Sequence, residues 1–112
     1  MVKKRYIPER GDLVYLDFSP SHGHEQKGTR PAVIVSKTSY NRASGLALVI
    51  PVTSKEKGYP FEVTVRTGAI EGVALVDQIR SVDYIIRKVR FIGKVGVNEW
   101  EEIQAKLLAL VG

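Results

Sequence analysis

Gly11-Asp12-Leu13-Val14-Tyr15-Leu16-Asp17-Phe18 is the stretch on which the fold turns. Its two alternating sets, Leu13, Tyr15 and Asp17 against Val14, Leu16 and Phe18, are both mostly apolar. A strand with one wet face keeps its apolar residues on the other, so this pattern predicts a strand over residues 11–18 deep in a small barrel or sandwich. Working outward, short apolar runs at 31–36, 46–52, 61–65, 72–77, 78–83 and 90–95 read as further strands. Pro31 opens the second of them, where a missing amide does least harm. Residues 19–29, with Pro20, Gly23 and Gly28, and residues 53–60, with Gly58 and Pro60, read as polar loops. The first exceeds the usual connection length, a trait of functional loops.

The chain closes on a helix. Asn98 is placed to cap it, Glu101 follows three residues later as in a capping box, and Trp100, Ile103, Leu107 and Leu110 recur on one face. Glu99, Glu101 and Glu102 crowd the first turn, where the helix dipole favours acids. Trp100 reads as a packing anchor and the acidic cluster as helix chemistry. A run of strands ending in one helix predicts a mainly β chain, either an α+β domain or a small barrel with one helix packed on it.

Composition bounds what such a domain can do. At 112 residues the chain makes one domain, spanning residues 1–112, and folding hides roughly two thirds of its unfolded surface. Seventeen Lys and Arg against twelve Asp and Glu leave a net charge of +5, which makes a polyanionic partner one sensible reading. The absence of cysteine removes disulfides, thiolate metal sites and cysteine nucleophiles together, and fits a reducing compartment. The longest apolar run, residues 46–52, is far too short to cross a bilayer. A soluble cytoplasmic protein without membrane attachment is expected.

Three groups of residues could carry chemistry. His22 and His24 read as a metal pair, as the acid and base of a histidine-driven ribonuclease, or as solvated loop residues, the commonest fate of such a pair. The basic stretch Arg87-Lys88-Val89-Arg90, with Arg80 and Lys94 nearby, reads equally as a phosphate-binding stripe or the wet face of a strand. Arg30, Thr53 and Glu25 form the third group. Arg30 opens the second strand and Thr53 ends the third, so if these strands are neighbours the guanidinium and hydroxyl share one mouth. Cleaving RNA through its own 2′-hydroxyl needs a proton acceptor, donors for the charge gathering on phosphorus, and an acid for the departing oxygen. Arginine supplies donors in a fixed fork but, with a pKa above 12, is a poor base. Arg30 therefore reads as charge stabiliser and Glu25 as the carboxylate most able to move the proton. The plainer alternative is a surface ion pair of Arg30 with Glu25, and a turn begun by Thr53.

Glu25-Gln26 through Arg30-Pro31-Ala32-Val33 resembles the MazF family of toxin endoribonucleases, also called PemK-like or Kid-like. Gly11-Asp12-Leu13 with Asp17-Phe18, Tyr40-Asn41, Pro51-Val52-Thr53-Ser54, Lys57-Gly58-Tyr59-Pro60-Phe61-Glu62-Val63 and Gly72-Val73-Ala74-Leu75-Val76-Asp77-Gln78 follow in that family's order. The resemblance runs from Tyr6 to Gly112. It implies a small β-barrel related to SH3-like folds with a C-terminal helix, paired as a homodimer. It also implies metal-independent cleavage of single-stranded RNA at short motifs, messenger RNA among the targets, leaving a 2′,3′-cyclic phosphate and a 5′-hydroxyl. No cofactor is implied. The implied partner is a MazE-like antitoxin whose acidic, disordered tail occupies the groove between protomers, with DNA contacted only indirectly through that complex.

Carried onto this sequence, the family's catalytic arginine falls on Arg30, its catalytic threonine on Thr53 and its functional loop glutamate on Glu25. Phe18 is expected to offer a stacking face and Gln78 amide groups beside a base edge, with Asp77 next to it. Lys55 and Lys57 are expected along the phosphate chain. His22 and His24 fall outside the shared pattern. Two alternatives belong to other classes: a non-enzymatic toxin of the gyrase-poison type on a related barrel, and a basic module that only binds nucleic acid.

Overall fold

The computed structural model describes residues 5–19 and 28–112. Among the described residues seven strands and two helices follow one another: β1 (Asp12–Asp17), β2 (Thr29–Ile34), α1 (Thr38–Ser44), β3 (Leu46–Thr53), β4 (Glu62–Thr67), β5 (Ile70–Leu75), β6 (Arg80–Asp83), β7 (Arg90–Lys94) and α2 (Val97–Val111). A single 3₁₀ turn, Val76–Gln78, joins β5 to β6. The strands pair antiparallel in the order β4-β5-β3-β2-β1-β7, and β6 pairs with β3. The sheet curls until the two ends of this path meet, where Thr67 Oγ1 of β4 donates to the Lys94 carbonyl of β7 at 3.1 Å. The expected mainly β fold with a C-terminal helix is found, as a curled half-barrel.

Curling gives the sheet two interiors, which is why both faces of β1 are apolar. Leu13 joins Val33, Ile50, Val52, Val63, Val65, Ala74 and Val76 in a core closed by Ile103 of α2. Val14, Leu16 and Phe18 point the other way, into a second core with Ala32, Ile34, Ala47, Val49, Val82 and Tyr84. Trp100 and Leu107 pack beside Ile103, as the helical spacing predicts. Leu110 does not; it is 39% exposed.

Three local expectations are corrected. The last helix starts two residues early: Gly96 is its N-cap, and Glu99 rather than Glu101 returns to the cap, accepting from the Gly96 amide at 2.9 Å. Glycine offers no side chain in exchange, so only the glutamate half of a capping box exists. The other oxygen of Glu99 accepts from the Arg66 amide of β4 at 2.8 Å, a tertiary contact that selects this register. The seven-residue α1 was not expected, being too short for a helical period. It is held through buried Asn41, which donates to the Pro8 carbonyl at 2.8 Å and whose own carbonyl accepts from Tyr84 Oη at 2.8 Å. The strand expected at 72–77 gives way at Val76 to the 3₁₀ turn.

Elsewhere in the fold, buried Asp12 gathers Tyr6 Oη, the Glu9 amide at 3.0 Å and Lys94 Nζ at 2.5 Å. This cluster ties residues 6–9 to β1 and β7. Replacing Asp12 by alanine strands a half-buried phenol and an amide, and is expected to cost about 3 kcal/mol in urea unfolding. Burial first, then Asp12, raises the Tyr6 phenol pKa; the hydrogen bond to Asp12 does most to raise that of Lys94. Both folded values lie above the unfolded ones, so this stability is full below about pH 10 and is lost as pH rises through the raised values. The urea midpoint should therefore fall in alkali, and fall less in Tyr6→Phe.

Candidate active site

β2 and β3 part at one end of their ladder, and there the first site residues lie. Ala32 opposite Pro51 is the last pair, so Arg30 and Thr53 each stand two residues beyond it, at the same end. β2 remains paired to β1 there, with Arg30 opposite Leu16, which fixes the arginine backbone. β3 swings to β5, with Thr53 opposite Val73. The condition that these strands be neighbours is met. Both side chains line one cleft of about 450 Å³.

Gly72 of β5 makes this junction possible. A Cβ added to it would lie 2.5 Å from the Thr53 carbonyl oxygen and 3.2 Å from Val52 Cγ1, so no side chain fits where β5 passes β3. Beyond Thr53 the chain turns outward, and Thr53 Oγ1 accepts from the Lys55 amide at 3.2 Å. Ser54, Lys55, Lys57 and Tyr59 of this loop line the cleft, as does Glu62 at the start of β4. The 3₁₀ turn brings Asp77 and Gln78 into the same lining, next to Leu75 at the end of β5. Three cations, Arg30, Lys55 and Lys57, thus face a cleft whose acids are Glu62 and Asp77. The Glu62 carboxylate is engaged by the loop itself, accepting from the amides of Lys57 at 3.0 Å, Gly58 at 2.8 Å and Tyr59 at 3.2 Å. What remains is a basic pocket with one arginine fork, one threonine and an amide side chain, a set suited to a phosphodiester and an unpaired base.

Arg30, Thr53, Lys55, Lys57, Asp77 and Gln78, all singled out in the sequence, therefore converge. Phe18 does not, and its reading as a stacking face is corrected: the ring is 1% exposed, sits in the second core, and lies 5.6 Å from the Arg80 guanidinium. The alternation Val14, Leu16, Phe18 already carried that signal. The exposed ring at the cleft belongs instead to Tyr59, with Lys57 Nζ 6.0 Å from its centre. Tyr59 and Glu62 were missed as site residues although both lie in the quoted Lys57–Val63 motif. Glu25, His22 and His24 lie outside the described residues. The basic stretch does not reach the cleft; Arg87 donates to the Asp17 and Ser19 carbonyls at 3.2 and 3.3 Å, and Arg90 lies over the Tyr15 ring at 5.0 Å.

Comparison with known proteins agrees with this fold. Residues 9–111 match the family model of the PemK-like, MazF-like toxin of type II toxin-antitoxin systems. The endoribonuclease toxin MazF of Escherichia coli is 44% identical over 96% of this chain and 97% of its own length. A crystal structure of MazF from Deinococcus radiodurans superposes with a TM-score of 0.90 at 42% identity, covering 96% of this chain and 99% of that one. A MazE-MazF crystal structure from the same organism superposes at 0.84 with 38% identity, covering 96% and 98%. No helix among the described residues is long and apolar enough to cross a membrane. A match over nearly the whole chain leaves one assignment: the chain belongs to the PemK-like, MazF-like toxins of type II toxin-antitoxin systems.

Proposed function

We propose that this chain is a sequence-specific endoribonuclease toxin that cuts single-stranded RNA, messenger RNA among its targets, using the RNA's own 2′-hydroxyl and no metal. The observation that carries this reading is the meeting of Arg30 and Thr53 at one strand junction, flanked by Lys55 and Lys57. In the reaction the 2′-oxygen loses its proton and bonds to phosphorus, the P–O5′ bond breaks, and the departing oxygen takes up a proton. The products are a 2′,3′-cyclic phosphate and a 5′-hydroxyl. Arg30 and Thr53 donate hydrogen bonds to the phosphoryl oxygens as charge gathers on them. The lysines hold neighbouring phosphates, Gln78 meets a base edge beside Asp77, and Glu25 is the carboxylate that moves the proton. Pairing of two copies makes a groove of two such clefts. An acidic antitoxin tail of the MazE kind competes for it, since the cations that draw phosphate also draw carboxylates. Any DNA contact comes through that complex, in the cytoplasm.

The test is incubation of the antitoxin-free protein with mixed-sequence RNA in EDTA, beside Thr53→Ala. Cleavage by the parent with cyclic phosphate ends, and a drop of about a hundredfold in Thr53→Ala, is the expected result. A folded dimer that cuts nothing would overturn it in favour of a non-enzymatic toxin or a nucleic-acid-binding module. Sequencing of the cut ends then supplies the recognition motif.

A further inference from the structure

We propose that Glu62 is a positioning residue of the cleft: its carboxylate shapes the loop of residues 54–60 and so sets how tightly RNA is held. Every residue of that loop is exposed, so no buried apolar contact can define its path. Its amides do so instead. Three successive N–H groups, of Lys57, Gly58 and Tyr59, converge on the Glu62 carboxylate. Gly58 supplies the left-handed turn they need, at φ 75°, and the Glu62 amide returns a bond to the Tyr59 carbonyl at 3.1 Å. A concavity of consecutive amides is an anion-binding shape, and here an internal anion fills it. Glu62 is itself anchored from behind, where Lys106 Nζ of α2 donates to its carbonyl at 2.9 Å while pairing with Glu102 at 3.0 Å.

The consequence is a division of labour within the cleft. With its amides occupied, the loop offers RNA the Lys57 ammonium as a phosphate clamp and, 6.0 Å beneath it, the Tyr59 ring, whose other face is a stacking surface. Arg30 and Thr53 stand on strands, where pairing with Leu16 of β1 and Val73 of β5 fixes their backbones from outside the loop. Losing the Glu62 carboxylate should therefore loosen binding and spare the chemical step. This inference rests on the reading of the cleft as an RNA-cleaving site, and its test is separable from that reading.

Parent, Glu62→Gln and Glu62→Ala are compared in three measurements: amide hydrogen exchange at Lys57, Gly58 and Tyr59, affinity for an uncleavable 2′-deoxy oligonucleotide, and steady-state cleavage of its RNA counterpart. Faster exchange at these amides is expected in both variants. Affinity should weaken about tenfold in Glu62→Gln and further in Glu62→Ala, with KM following and kcat within about threefold of the parent. Unchanged exchange and affinity in both variants would overturn the proposal, as would a fall in kcat at constant KM. Should Glu62→Ala fail to fold, the isosteric Glu62→Gln decides. If the parent cleaves no RNA, the catalytic reading fails, while exchange and oligonucleotide affinity still decide what Glu62 does.

Discussion

Replacing Arg30 by alanine is expected to lower kcat for RNA cleavage about a thousandfold while the protein keeps its melting temperature to within a few degrees. The size follows from the chemistry proposed for the cleft. Charge on the phosphoryl oxygens grows as the 2′-oxygen bonds to phosphorus, and a guanidinium fork answers it with two aligned donors that need not reorganise. The small effect on stability follows from position. Arg30 is exposed, lies past the last pair of β2 with β3, and belongs to neither buried core. Arg30→Lys should recover only part of the loss, because an ammonium is a point charge that cannot hold two oxygens in a plane. Single-turnover cleavage in EDTA, with melting curves for each variant, checks both halves. If Arg30→Ala cut at the parent's rate, the arginine would be a binding group or a surface charge.

Gly72→Ala is expected to lose about a hundredfold in cleavage although residue 72 touches no substrate. Its new methyl group would stand 2.5 Å from the Thr53 carbonyl oxygen, closer than a Cβ comes to backbone, and 3.1 Å from the carbonyl carbon. β5 and β3 must separate there, and Thr53 moves with its strand. Overpacking of this kind costs about 1–3 kcal/mol, so a fall in activity could be mistaken for a fall in folded protein. Gly93→Ala separates the two effects. Its methyl group would meet Thr67 Cγ2 at 2.7 Å, at the seam where β7 approaches β4, and neither residue lines the cleft. Gly93→Ala should lower the melting temperature and leave kcat per folded molecule unchanged, whereas Gly72→Ala should lower both. Parent-like kcat in Gly72→Ala would mean that Thr53 does not need its observed place.

Much of this was legible in the chain because the signals are local. Leu13 to Phe18 show two apolar faces only because the strand lies between two cores, and alternation reports that without any knowledge of its neighbours. Arg30 and Thr53 were readable as partners because each marks a strand end and their residue types suit phosphoryl chemistry. Where reading failed, a distant contact decided. Glu101 is as good a capping residue as Glu99, but Glu99 alone also meets the Arg66 amide of β4. Phe18 is a fine stacking ring by type, but Val14 and Leu16 carry it into the second core, and exposure belongs to Tyr59.

The amino-acid sequence by itself determined the strands, the closing helix and the chemical kinds of side chain available, because period, charge and hydrogen-bonding capacity are properties of a residue and its near neighbours. Only the tertiary structure decided which groups meet. Glu62 turning its carboxylate onto its own loop, Gly72 letting β5 pass against Thr53, and the 3₁₀ turn bringing Asp77 and Gln78 into the cleft lining each depend on where the curled sheet places segments against one another. Burial and close approach are sums over contacts between segments far apart in the chain, and no local window of sequence contains them.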